Sequence, residues 1–119
     1  MKSTKILHIC SSDSNGGAAR AAYRLCIAQR SSGLDSQMLV LKKTVESSFV
    51  QAAYGKYRHY IHLLKALVSK KITSLQTATT NPVLHSINIL GSGLVNRINK
   101  SNFDVVNLHW LGSEMLSIE

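Results

Sequence analysis

At 119 residues the chain is long enough for one domain with a real hydrophobic core and too short for two. A hydrophobic content of 45% and a single proline mark a folded chain, and no apolar run approaches the ~18 residues of a membrane-spanning helix. The net charge of +8 is uneven: residues 1–71 hold twelve Lys/Arg against Asp13, Asp35 and Glu46, whereas residues 72–119 hold Arg97 and Lys100 against Asp104, Glu114 and Glu119. A basic half beside a neutral one points to a face that meets anions, whether phosphates, acidic sugars, nucleic acid or anionic lipid. Met1 to Lys5 is basic like a signal peptide. Its apolar sequel, Ile6 to Cys10, is short, contains His8 and runs into Ser11, Ser12 and Asp13, so a cytoplasmic chain is expected. Cys10 and Cys26 form neither a disulfide framework nor a metal-ligand spacing and read as reduced, buried thiols.

In chain order, Lys5 to Cys10 is a short apolar run with an abrupt polar stop, which predicts a buried strand feeding a loop. Ala18 to Ser32 is rich in Ala, Leu and Arg and lacks Gly and Pro, which predicts a helix capped by Ser14 or Asn15 and ended at Gly33. Asp35 to Leu41 reads as a second strand, with Lys42 and Lys43 at its exit. Strand, glycine turn, helix and strand in this space make a βαβ unit with parallel pairing and a right-handed crossover. Phe49 to Ala53 has the makings of a short edge strand.

Lys56 to Ile72 is amphipathic: Tyr57, Tyr60, Ile61, Leu63, Leu64, Leu67, Val68 and Ile72 share one half of the helical wheel. Arg58, His59, His62, Lys65, Ser69 and Lys70 fill the other half. The default expectation is that the apolar face packs on the sheet and the basic face, His59 and His62 included, meets solvent. The alternative is an interfacial helix making peripheral contact with the inner face of a membrane through residues 56–72. Thr73 to Asn81 reads as a loop closed by Pro82, and Ser92 as the cap of a helix from Gly93 to Lys100. Asp104 to Leu108 is another buried strand, delivering His109 and Trp110 to its end, and Leu116 to Glu119 looks like the opening of a further helix. The fold class is therefore α/β, a Rossmann-like parallel sheet flanked by helices. The first strand should lie between those of 35–41 and 104–108.

Ligands of such sheets bind beyond the strand carboxyl ends. Here those ends carry Ser11 to Gly17 and the pair His109-Trp110. Gly16 and Gly17 allow close backbone approach, and the helix behind them turns free N–H groups toward the same place, which suits a diphosphate. His109 and Trp110 offer a polar ring and a flat aromatic face, a pairing suited to sugars. Arg20, near the helix start, can steady an anionic group. A dinucleotide-binding domain fits less well: Gly16-x-Ala18-x-x-Ala21 lacks two of the three fingerprint glycines, and Lys42 and Lys43 stand where an acidic residue belongs. A small basic nucleic-acid-binding module is the other alternative. Surface aromatics are not interleaved with Lys/Arg, and no specific nucleic-acid partner is expected. His8, His59, His62 and His85 lack Cys or carboxylate partners at ligand spacing, so no metal is expected.

Lys5 to Ile9, Gly16 to Leu25, Gly33 to Ser36 and Met38 to Lys42 together resemble the opening of family-four retaining glycosyltransferases. Asn102 to Trp110 and Leu116 to Glu119 resemble the same family's later strand and following helix. The nearest branch is that of bacterial exopolysaccharide and colanic-acid-like synthesis. The resemblance implies the N-terminal, acceptor-side half of a GT-B fold, with Gly16 and Gly17 approaching the donor diphosphate. It also implies that His109 faces the donor sugar near the reacting carbon, as the catalytic residue; Trp110 and Arg20 are candidate acceptor or anion contacts on the reading of the residues themselves. The expected substrates are a nucleotide sugar and a saccharide or lipid-linked acceptor, with no bound cofactor. The family's nucleotide-binding C-terminal domain has no counterpart in residues 1–119, so the expectation is a partial N-terminal domain, inactive alone.

Overall fold

The computed structural model describes residues 3–75, 93–112 and 115. Four strands, β1 (Lys5–Ser12), β2 (Asp35–Lys42), β3 (Val50–Ala52) and β4 (Val105–Leu108), form one sheet in the order β3-β2-β1-β4. All pairings are parallel: β1 meets β2 from Lys5 opposite Asp35 to Ser12 opposite Lys42, and meets β4 from Ile6 opposite Val105 to Ile9 opposite Leu108. The helices are α1 (Gly17–Ser31), α2 (Lys56–Leu75) and α3 (Leu94–Asn99). The chain thus has the expected α/β, Rossmann-like sheet, with the first strand between the other two.

β1 is paired on both edges and covered on both faces, which is why it reads as a nearly unbroken apolar run. Cys10 joins Ala19, Ala22 and Cys26 of α1 and Met38 and Val40 of β2 in one core. Leu7 and Ile9 point the other way, into a second core with Leu39, Ala53, Leu94 and Met115. α1 ends as the sequence predicts. Gly33 takes φ +85°, its N–H donates to the carbonyl of Arg30 at 3.0 Å, and the N–H of Leu34 donates to that of Gln29 at 3.1 Å.

The helix starts are arranged differently from the expectation. The residue preceding α1 is Gly16 (φ +90°), and neither Ser14 nor Asn15 caps it. Ser12 shapes the turn instead, its hydroxyl accepting the N–H groups of Ser14 (3.3 Å) and Asn15 (3.1 Å). α3 is preceded by Gly93 in the left-handed region (φ +69°). Thr73 to Leu75, expected to open a loop, instead continue α2, while Ser92, residues 76–81 and residues 116–119 lie outside the described residues. Asp104 precedes β4 and anchors it: its carboxylate accepts the N–H of Lys5 and its own N–H donates to the carbonyl of Lys5, both at 2.9 Å.

The largest correction concerns α2, whose packing reverses the default expectation. His62 and Ser69 are buried, whereas Tyr57, Tyr60, Ile61, Leu64, Leu67, Val68 and Ile72 are exposed. His62 stacks on Tyr54, with centroids 5.1 Å apart, so it is an inward contact and not a solvated surface group. His62 and Ser69 of the polar half turn inward while Arg58 and Lys70 stay exposed, and most of the apolar half faces outward.

β4, expected to be buried, is instead an edge strand among the described residues, paired only with β1, and Val105, Val106 and Leu108 are exposed. An apolar edge with unpaired backbone groups is a template for pairing with another copy. The chain is expected to self-associate with rising concentration in sedimentation velocity runs, and Val106→Lys is expected to shift it toward monomer.

Candidate functional site

The β1–β4 ladder runs on past Leu108. The N–H of His109 donates to the carbonyl of Ile9, and the carbonyl of Trp110 accepts the N–H of Ser11, both at 2.9 Å. These bonds carry Trp110 across to the glycine turn at the end of β1. A cleft of about 420 Å³ lies there, lined by Cys10, Asn15, the residues Gly16 to Ala19, and Trp110. A second cleft of about 560 Å³ adjoins it, with Ser11, Lys42, His59 and His62 in its wall. Asn15 and Trp110 belong to both, so the half-exposed indole stands between the glycine turn and a wider hollow against α2.

The first intrahelical bond of α1 runs from the N–H of Arg20 to the carbonyl of Gly16 at 3.2 Å. The N–H groups of Gly17, Ala18 and Ala19 precede it and carry the partial positive charge of the helix start. A side chain at Gly16 would be strained by its positive φ, whereas one at Gly17 would meet nothing within 4 Å. Arg20 is exposed, and its Nε lies 3.4 Å from the carbonyl of Gly16, so it stands at the helix start. The Trp110 ring is seated over Gly112: a β-carbon there would lie 2.9 Å from the indole Cζ2.

His109 is half-buried and does not line either cleft. Its ring stacks on that of His8, with centroids 5.2 Å apart, and its Nε2 lies 2.9 Å from His8 Nδ1. Burial, and then the neighbouring His8, hold the His109 pKa below the usual imidazole range. The structure thus brings Gly16, Gly17 and Trp110 to one cleft, places Arg20 at its helix, and sets His109 one residue away, facing inward.

Asp13 carries a role that the sequence did not reveal. It is buried, and its carboxylate accepts the N–H of Thr44 (2.7 Å), the N–H of Val45 (2.8 Å) and the hydroxyl of Thr44 (2.6 Å). This ties the loop after β1 to the loop after β2 and holds the glycine turn in place. Burial raises the Asp13 pKa, but these hydrogen bonds outweigh it and leave the carboxyl below its ordinary range. His8, Gln29 and Ser36 also went unread, because their partners lie on other elements. The one signal was a histidine inside an otherwise apolar strand, which must find partners when buried.

Comparison with known proteins finds no matching family model, no similar curated sequence and no similar solved structure.

Asp13→Ala removes an acceptor from two backbone donors and is expected to lower stability by about 1–3 kcal/mol in urea unfolding. The folded pKa of Asp13 is lowered, so its contribution is full above the ordinary carboxylate range and is lost as pH falls below that range through the lowered folded value. The difference between wild type and Asp13→Ala should therefore shrink on acidification.

Proposed function

We propose that this chain is the acceptor-side α/β half of a retaining GT-B glycosyltransferase of bacterial exopolysaccharide type. The observation that carries this reading is the single cleft shared by the Gly16–Gly17 turn, the start of α1 and Trp110. Helix-start N–H groups suit the diphosphate of a nucleotide sugar, and an exposed indole suits the apolar face of a sugar ring. In this reading Arg20 steadies an anionic group at the helix start, and His109 lies near the donor sugar. The reaction would proceed by stabilising the departing diphosphate and fixing the acceptor hydroxyl close to the reacting carbon. Such placement is worth roughly 7–11 kcal/mol only when both substrates are held between two domains. Residues 1–119 are accordingly proposed to lack turnover by themselves.

The binding test is a titration with a panel of nucleotide sugars and with inorganic pyrophosphate, followed by amide NMR. Gly16, Gly17, Ala18 and the Trp110 indole are expected to shift together. Gly17→Val should abolish those shifts while keeping the fold, since its added carbons meet open space in the free protein. Salt-sensitive binding of random oligonucleotides, with no response to nucleotide sugars, would support a nucleic-acid module instead.

Peripheral contact with an anionic membrane surface through residues 56–72 belongs to the same proposal. Its support is the outward apolar face of α2 together with a complete lack of acidic residues between Lys56 and Leu75, where Arg58, Lys65, Lys70 and Lys71 occur. Among the described residues no helix is long and apolar enough to cross a membrane, so α2 would lie in the interface. The chain is expected to float with vesicles containing anionic lipid and to be released by high salt. A Leu64→Glu/Leu67→Glu variant, altered at two exposed positions, should stay in the pellet fraction. Failure of the wild-type chain to float would remove the membrane from the proposal.

A further inference from the structure

Beneath the cleft lies a line of hydrogen bonds that the proposed function leaves unused. His8 is fully buried in β1, yet both its ring nitrogens are engaged. Its Nδ1 lies 2.9 Å from His109 Nε2, and its Nε2 lies 2.7 Å from the side-chain carbonyl oxygen of Gln29 on α1. The same oxygen accepts the hydroxyl of Ser36, in β2, at 2.8 Å, and Ser36 Oγ lies 3.2 Å from Cys26 Sγ. Five side chains from α1, β1, β2 and the end of β4 are joined in sequence.

The direction of each bond follows from the chemistry of one atom. A carbonyl oxygen only accepts. His8 Nε2 must therefore carry hydrogen, and Ser36 directs its single hydroxyl hydrogen to Gln29. The Cys26 thiol then donates to Ser36. With Nε2 protonated, the lone pair of His8 is at Nδ1, and the bond to His109 takes its hydrogen from His109 Nε2. No carboxylate contacts either ring among the described residues. His109 is left with a lone pair at Nδ1, to which no described residue donates a hydrogen bond. Turning the Gln29 amide end for end would reverse every bond in the line, so that one amide governs both rings.

We propose that Gln29, acting through His8, is the positioning residue that fixes His109 as the Nε2–H tautomer and makes its Nδ1 a hydrogen-bond acceptor. A ligand group meeting His109 is then a donor, such as a hydroxyl, and an anionic oxygen is disfavoured there. That ligand preference rests on the proposed function; the tautomer does not, and the two can fail separately.

The test is long-range proton–nitrogen NMR of the histidine rings in the whole chain at neutral pH, with His109 assigned by His109→Gln. The expected spectrum shows His8 and His109 both protonated at Nε2 and unprotonated at Nδ1. A wild-type His109 protonated at Nδ1, or at both nitrogens, overturns the proposal without recourse to any variant. Gln29→Met removes the acceptor and should leave His109 a mixture of tautomers, provided its amide spectrum shows the native fold. An unchanged His109 signal in that folded variant would also overturn it. Binding of nucleotide sugars is read separately, so an inert cleft with the expected tautomer would refute the function and leave the relay standing.

Discussion

The arrangement depends on β1 being hydrogen-bonded in parallel on both edges. Parallel pairing sends β1, β2 and β4 out of the sheet on the same side, so the glycine turn, the Asp13–Thr44 clasp and Trp110 gather there without a long connection. Double-sided burial also leaves β1 no solvent face. Any polar side chain in it must be satisfied by its neighbours, and His8 meets that demand with both nitrogens.

The turn at the end of β1 is held by side chains of the chain itself. Ser12 accepts two backbone N–H groups of the turn, and Asp13 reaches across to Thr44 and Val45. These two adjacent residues use side chains where a longer loop would use extra backbone. The start of α1 is thereby fixed relative to β2, while Gly16 and Gly17 keep the approach free of side chains. Under the proposed function such a clasped turn would offer its N–H donors without rearrangement.

α2 shows the limit of amphipathicity as a guide to orientation. A helical wheel says that two faces differ; it does not say which one the protein body covers. Here α1 covers one face of the sheet, and Leu94 and Met115 fill the other core with residues from β1 and β2. α2 meets the body through His62 on Tyr54 and through the wall of the second cleft, contacts that suit its polar side. Its Tyr, Leu and Ile residues are turned outward as a consequence.

The sequence by itself determined the local elements and their order. An apolar run before a glycine turn, an Ala-rich helix ended at Gly33, and short strands separated by a helix leave little choice but a parallel sheet, because each signal is carried by neighbours along the chain. The positions of Gly16, Gly17, Trp110 and Arg20, just beyond strand ends or at a helix start, were legible for the same reason. What only the tertiary structure decided were pairings across the chain. Asp13 with Thr44, His8 with His109 and Gln29, and the inward turn of α2 each join residues separated by tens of positions or more, or depend on which surfaces other elements have already covered. Periodicity records which residues share a face, but a hydrogen bond between two faces exists only once both have been placed, and that is why the relay behind His109 was invisible until the sheet was assembled.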